Sequence, residues 1–216
     1  MHLTKLFFAT TALAVVAVAQ NPITADSPFQ VRYASNLTVG DSVINITNTG
    51  ANGASLFGPG FGGAAGNICV NVYAFAPDEQ LISCCSCLVT PDGLVSLSVV
   101  NDLISNTLTG VRPSSVVVKL ISTLAGTGGS GTSCTNSAVA ASAANIVRGL
   151  AAWGTTIHAS PTGFATTETA FTPSTLSVGE IDSVTNRCRN ILGNGTGFGV
   201  CNSCRAGGLG AGRSAN

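Results

Sequence analysis

Three cysteines in four consecutive positions, Cys84-Cys85-Ser86-Cys87, constrain this chain more than any other feature. On an extended strand successive side chains point to opposite faces, so Cys85 and Cys87 share one face and Cys84 takes the other. A bridge between the neighbours Cys84 and Cys85 strains the backbone, and Cys85 and Cys87 stand near the upper limit of Cα separation for a bridge. Each of the three is therefore expected to seek a distant partner. The remaining cysteines are Cys69, Cys134, Cys188, Cys201 and Cys204, eight in all. In an exported chain an even count reads as four disulfides, each worth about 2–4 kcal/mol, mainly by restricting the unfolded state. Eight cysteines allow about 105 pairings, so connectivity stays open, except that Cys201 or Cys204 is expected to join the Cys84–Cys87 cluster. Two other uses compete. A four-thiolate zinc site joining the two clusters meets oxidation outside the cell. A redox-active Cys201-Asn202-Ser203-Cys204 needs a helix N-terminus in a βαβ setting and has Gly-rich neighbours instead.

The N-terminus supplies the export. Lys5 precedes an apolar and small-residue run from Leu6 to Val18, and Ala17-Val18-Ala19 is a small-x-small cleavage pattern. The run is shorter than the roughly 20 apolar residues that span a bilayer, so residues 1–19 read as a removable signal peptide and not as structure. No cysteine stands at the cleavage site to accept a lipid. No later segment reaches spanning length without polar interruption, and no membrane span is expected after signal removal.

Charged side chains make up 8% of the chain, with Ser, Thr, Asn and Gly supplying the polar surface, against about 25% in an average domain. Loss of Lys5 with the signal leaves eight basic side chains against nine acidic. No basic patch competes for phosphates, which argues against nucleic acid as a partner. Weakly charged surfaces also lack the repulsion that keeps copies apart, so self-association or attachment to a matrix fits the composition.

The pattern along the chain predicts a mainly β fold, an antiparallel β-sandwich-like domain with a disulfide-pinned C-terminal helix. Residues 20–125 form the β meander or sandwich core. Strands are expected at Phe29 to Ala34, Val43 to Thr47, Ile68 to Phe75, Leu81 to Val89, Leu94 to Val100 and Ser115 to Ile121. The third to fifth read as one meander, with a β-turn at Thr90-Pro91-Asp92-Gly93. Asn48 to Gly66 is a loop by composition, and residues 126–131 are a Gly-rich, linker-like loop. Residues 132–205 continue the same domain with one or two helices. Val139, Ala143, Ile146 and Leu150 fall at helical spacing between Asn136 as N-cap and Gly149 as stop, while a strand through Trp153 to His158 is the alternative. A better-marked helix follows Ser177, whose S-x-x-E with Glu180 is a capping box. Ile181, Val184, Cys188 and Ile191 form its apolar stripe, Glu180 and Asp182 sit near its start, Arg187 and Arg189 near its end, and Gly193 stops it. Residues 206–216 read as a mobile tail.

Few residues are placed to carry chemistry. His158 is the only histidine of the mature chain, and a Ser-His-Asp triad would have to be built on it, with no G-x-S-x-G elbow present. Paired carboxylates for glycoside hydrolysis have to come from few acids. Asp78, Glu79 and Asp92 fall in turns, Glu180 and Asp182 at the helix start and Asp26 in the polar lead-in, which leaves Asp41, Asp102 and Glu168. Gly58, Gly60 and Gly63 match G-x-G-x-x-G by spacing but lack the strand and helix that a phosphate-cradling loop needs. N-x-[ST] sequons stand at Asn36, Asn45 and Asn194. Trp153, Tyr33 and Tyr73 are the aromatics for a sugar platform, and Trp153, in an apolar run, reads as core filling. No catalytic residue, metal or cofactor is assigned.

The segments Val39 to Gly50, Asn67 to Val89 with its Cys-Cys-Ser-Cys, Ala152-Trp153-Gly154-Thr155-Thr156 and Cys201-Asn202-Ser203-Cys204-Arg205 resemble uncharacterised secreted Cys-rich proteins of Acidobacteria-type bacteria. The resemblance covers most of the mature chain and implies a bacterial exported protein. It carries no activity. The expected role is a structural or adhesive protein of the cell surface or extracellular matrix, without catalysis, partnered by itself or by a surface or matrix polymer. An extracellular carbohydrate- or ligand-binding module is the alternative, and a secreted hydrolase using His158 stands third. An extracellular or surface location is expected, with the periplasm as the other oxidising option.

Overall fold

The computed structural model describes residues 27–54, 65–126, 131–134, 143–202 and 204–206. The signal segment, the Gly58-Gly60-Gly63 motif, Asn136, Val139 and the tail beyond Ala206 lie outside them. Among the described residues ten strands build two five-stranded sheets, strictly antiparallel in their ladders. They are β1 (Phe29–Ala34), β2 (Val43–Asn48), β3 (Ile68–Phe75), β4 (Leu81–Val89), β5 (Leu94–Ser98), β6 (Val116–Leu124), β7 (Leu150–Ser160), β8 (Gly163–Ala170), β9 (Thr172–Pro173) and β10 (Arg205–Ala206). One sheet, here sheet A, runs β4-β3-β6-β1-β9; the other, sheet B, runs β10-β5-β2-β7-β8.

Strand alternation sorts side chains into two apolar layers. Ile68, Val70, Val72 and Ala74 of β3 face inward to meet Ile44 and Ile46 of β2, Val95 and Leu97 of β5, and Leu150 and Ala152 of β7. This is the sandwich core, and its period of two is the alternation legible in the sequence. Tyr73 and Phe75 of β3 point outward, where helix α1 (Val178–Gly193) covers them with Ile181, Val184, Cys188 and Ile191. β3 is consequently buried on both faces. Fully burying Ile181, Val184 and Ile191 stabilises by about 1.5–3 kcal/mol each.

All eight cysteines pair, as Cys69–Cys134, Cys84–Cys188, Cys85–Cys201 and Cys87–Cys204, with Cα separations of 5.7, 5.9, 5.5 and 5.5 Å. Cys84 points outward to the helix, while Cys85 and Cys87 share the inner face and take the two C-terminal cysteines. The helix is thereby pinned to the β core, and no thiolate is left over for a zinc or redox site.

Several expectations need correction. Leu94 to Val100 does not extend the β3–β4 hairpin as a meander. β5 crosses to sheet B, pairs with β2 and ends at Ser98, where a π-helical turn, Val99–Leu103, begins. The Thr90–Gly93 turn does form, with the Gly93 N–H donating to the Thr90 carbonyl at 2.9 Å and Asp92 at φ 61°. The Asp92 N–H is drawn to the Asn48 carbonyl of sheet B at 2.9 Å, which carries the chain over. Of the helix and the strand left open for 137–158, the strand is the one that forms, and no α-helix occupies the described residues 143–158. A short 3-10 turn, Ala143–Asn145, leads to the eleven-residue strand β7, because Ile146 and Leu150 are claimed by the β layers. At α1, the Ser177 hydroxyl accepts the Glu180 N–H at 3.1 Å, but the Glu180 carboxylate does not return the bond. It pairs with Lys119 of β6, which also lies over the Phe75 ring at 4.8 Å. Arg187 and Arg189 stop short of the last turn, and Arg187 donates to the Glu79 carbonyl at 3.1 Å.

Candidate functional site

Sheet A is covered outside by α1, whereas among the described residues no helix packs on the outer face of sheet B. That face is organised by strand register. Ser96 of β5 stands opposite Asn45 of β2, Asn45 opposite Trp153 of β7, and Trp153 opposite Ala170 of β8, so the four lie in one row across the sheet. In the next row Thr155 stands opposite Glu168. The Ser96 hydroxyl donates to the Asn45 Oδ1 at 2.6 Å, and the Asn45 Nδ2 donates to the Glu168 Oε1 at 2.9 Å. The Glu168 carboxylate reaches diagonally over β7, between Trp153 and Thr155, to make that bond. The outcome is an amide fixed from both sides, a carboxylate with acceptor capacity left over, and an indole 40% exposed beside them.

Trp153 is therefore not core filling. Ala152 and Gly154, its neighbours in sequence, are the residues that face inward, and the alternation puts the indole on the solvent side. Of the other aromatics, Tyr33 is exposed on β1, whereas Tyr73 is fully buried under α1. Burial pushes the Tyr73 phenol above its ordinary value of 10.0, with the nearby Thr185 acting in the opposite direction.

A second polar feature lies between the sheets, where β1 approaches the β7–β8 hairpin. Arg32 of β1 is only 6% exposed. Its Nη1 donates to the Thr169 carbonyl at 2.8 Å and the Thr169 Oγ1 at 2.7 Å, and its Nη2 donates to the Thr156 Oγ1 at 2.8 Å. The guanidinium also lies 5.7 Å from the Phe171 ring centroid. Desolvation lowers its pKa, and the negative charge of Glu168 opposes that shift. Gly154 makes room for it, because a Cβ there would stand 2.5 Å from Arg32 Nε. The guanidinium works as a clasp between sheets A and B, with a shallow groove above it edged by Tyr33, Thr172 and Ser174.

The residues weighed for catalysis are dispersed. His158 is exposed and bonds through Nε2 to the Thr167 hydroxyl at 3.0 Å. Strand parity sends it to the face of the hairpin opposite Glu168. Asp41 accepts from the Val100 N–H at 3.0 Å and from the Ser98 hydroxyl at 2.5 Å, and Asp102 accepts from the Ser98 N–H at 2.7 Å. Both carboxylates thus shape the π-helical turn. Among the described residues no group of three or more His, Cys, Asp or Glu side chains converges as a metal site would require. The sequon asparagines are engaged locally: Asn36 donates to the Ile157 carbonyl, Asn45 joins the network beside Trp153, and Asn194 accepts from Thr196. No helix of the described residues is long and apolar enough to cross a membrane. No family model, curated protein or solved structure matches this chain.

Proposed function

We propose that this protein is a secreted, non-catalytic adhesive protein that attaches to a polysaccharide of the cell surface or matrix through the outer face of sheet B. The observation that carries the reading is the exposed Trp153 indole set beside the ordered Ser96–Asn45–Glu168 network. A sugar ring offers C–H groups on its faces and hydroxyls around its rim. An indole face takes the former and sheds its weakly held water, and a held amide and carboxylate take the latter. A broad sheet face suits a polymer better than a small solute, which is usually enclosed in a concave pocket. Four disulfides accord with an oxidising compartment and with a protein that works outside the cell.

The test is co-sedimentation of the mature protein with a panel of insoluble polysaccharides, such as cellulose, chitin, xylan and peptidoglycan. At least one is expected to retain it, and Trp153→Ala to reduce retention about tenfold or more, the scale of losing a buried aromatic anchor. Glu168→Gln is expected to weaken binding less, because the amide keeps an acceptor for Asn45. Retention by no polymer, or equal retention of Trp153→Ala, refutes the reading.

A further inference from the structure

The four outer edges of the two sheets are not protected alike. The β4 edge is covered: Cys84 N–H donates to the Gly199 carbonyl at 2.9 Å, Cys201 N–H to the Cys84 carbonyl at 3.3 Å, and Leu108 N–H to the Ile82 carbonyl at 2.8 Å. The β9 and β10 edges are two residues each, and β9 ends in Pro173. β8 is different. It is eight residues long, exposed throughout, free of proline and in unbroken register with β7. Its single charge, Glu168, is drawn back across β7 to Asn45. Proteins usually blunt such an edge with proline, bulges or projecting charge, because its unpaired N–H and C=O groups template another strand.

The direction of those groups follows from the ladder. The Phe171 N–H donates to the Ala152 carbonyl at 2.9 Å, one step beyond the Trp153–Ala170 pair. In an antiparallel pair hydrogen-bonding residues alternate, so Thr169, Thr167 and Ala165 also turn their backbone groups to β7. Phe164, Thr166, Glu168 and Ala170 turn theirs to the open edge.

We infer that β8 pairs antiparallel with β8 of a second copy of this chain, about a two-fold axis at Thr167. The edge is self-complementary in that register. Thr166 meets Glu168 of the other copy and Phe164 meets Ala170, so every outward N–H and C=O finds its counterpart, about eight backbone bonds in all. A shift of the axis to Glu168 sets the two carboxylates directly opposite, which is unfavourable. A shift to Thr166 leaves Ala170 without a partner in β8. In the Thr167 register the half-exposed Phe164 of each copy faces the small Ala170, whose neighbour across the sheet is Trp153. The mature chain carries eight basic against nine acidic side chains, so little long-range repulsion opposes the approach of a like molecule. Paired residues share a face, so the dimer carries both Trp153 side chains on one continuous surface. The inference goes beyond polysaccharide attachment and does not depend on it.

The experiment is sedimentation equilibrium of the mature, disulfide-bonded protein over a range of concentrations. A monomer–dimer equilibrium is expected. Thr166→Pro deletes only an outward N–H, and Ala170→Lys places a charge on the edge; each is expected to weaken dimerisation by about tenfold or more without altering the circular dichroism spectrum. Thr167→Cys, at the axis, is expected to give an intermolecular crosslink on a non-reducing gel, because directly opposed Cα atoms in a non-hydrogen-bonded pair suit a disulfide. Ala165→Cys, displaced from the axis, is not. Trp153→Ala leaves the dimer intact, which separates this test from the binding test. Monomer at every concentration, or a dimer that persists in folded Thr166→Pro and Ala170→Lys, overturns the inference.

Discussion

Sheets A and B have the same strand count and share one core, yet they are finished in opposite ways. Sheet A is sealed. Its outer face is under α1, its β4 edge is taken by residues 199–201, and all four disulfides begin on its β3 or β4. Sheet B receives one of those bridges near β10 and none in β7 or β8, and the Trp153 indole and the β8 edge remain exposed. Covalent restraint and helix cover are concentrated where the fold is anchored. Free backbone groups, the exposed indole and the acid–amide network are concentrated where the molecule meets its surroundings. In this fold, covalent anchoring and exposed strand edge are assigned to different sheets.

The contrast is testable. The largest effect is expected from removing the helix crosslink as a pair, Cys84→Ala with Cys188→Ala. Because the adjacent Cys85–Cys201 bridge remains, the extra loop closed in the unfolded chain runs only from Cys188 to Cys201, and the loss in urea unfolding should be about 3 kcal/mol. Hydrogen exchange should accelerate in α1 before it does in β7, and equal acceleration in both would erase the distinction between the sheets. A smaller effect, about 1–3 kcal/mol, is expected for Gly154→Ala, whose new methyl group meets the Arg32 clasp. In an Arg32→Ala background the same change should cost little. Additive losses in that double-mutant cycle would show that Arg32 and Gly154 do not constrain one another.

The smallest effect distinguishes the faces by pH. Tyr73, sealed under α1, resists ionisation in the folded chain, while the unfolded chain ionises it near its ordinary 10.0. A folded-state pKa raised above the unfolded one stabilises fully below about pH 10 and is lost as pH climbs beyond it. Tyr73→Phe should flatten the alkaline decline in denaturation midpoint above about pH 10. An unchanged slope would mean that Tyr73 ionises equally in both states.

What the sequence disclosed, and what it hid, follows the range of the interactions. β1 coincides with its expected bounds, and β3, β4 and the stripe of α1 were readable because period two and the S-x-x-E start are local patterns. The opposed directions of Cys84 and Cys85 were readable for the same reason. The move of β5 to the other sheet was not, because turn residues announce a reversal and not the partner that the next strand will choose. Trp153 was misjudged because Ala151 and Ala152 are both apolar and mask the alternation around it. The candidate site itself draws on Asn45, Ser96, Trp153 and Glu168, from four strands, and only the registers β5–β2–β7–β8 bring them together. A single-chain pattern holds no signal for that row.

The bridge from Cys87 to Cys204, 117 positions apart, bears on how the molecule answers to pulling. Tension applied between the two ends of the chain travels along the backbone to Cys87, crosses the sulfurs and leaves beyond Cys204. The segment between those cysteines, including β5, β6, β7, β8 and α1, hangs from this covalent path as a closed loop. Tension would thus extend the leading strands first, and loss of β2 would take Asn45 from beside Trp153 while the closed loop kept β7, β8 and Glu168.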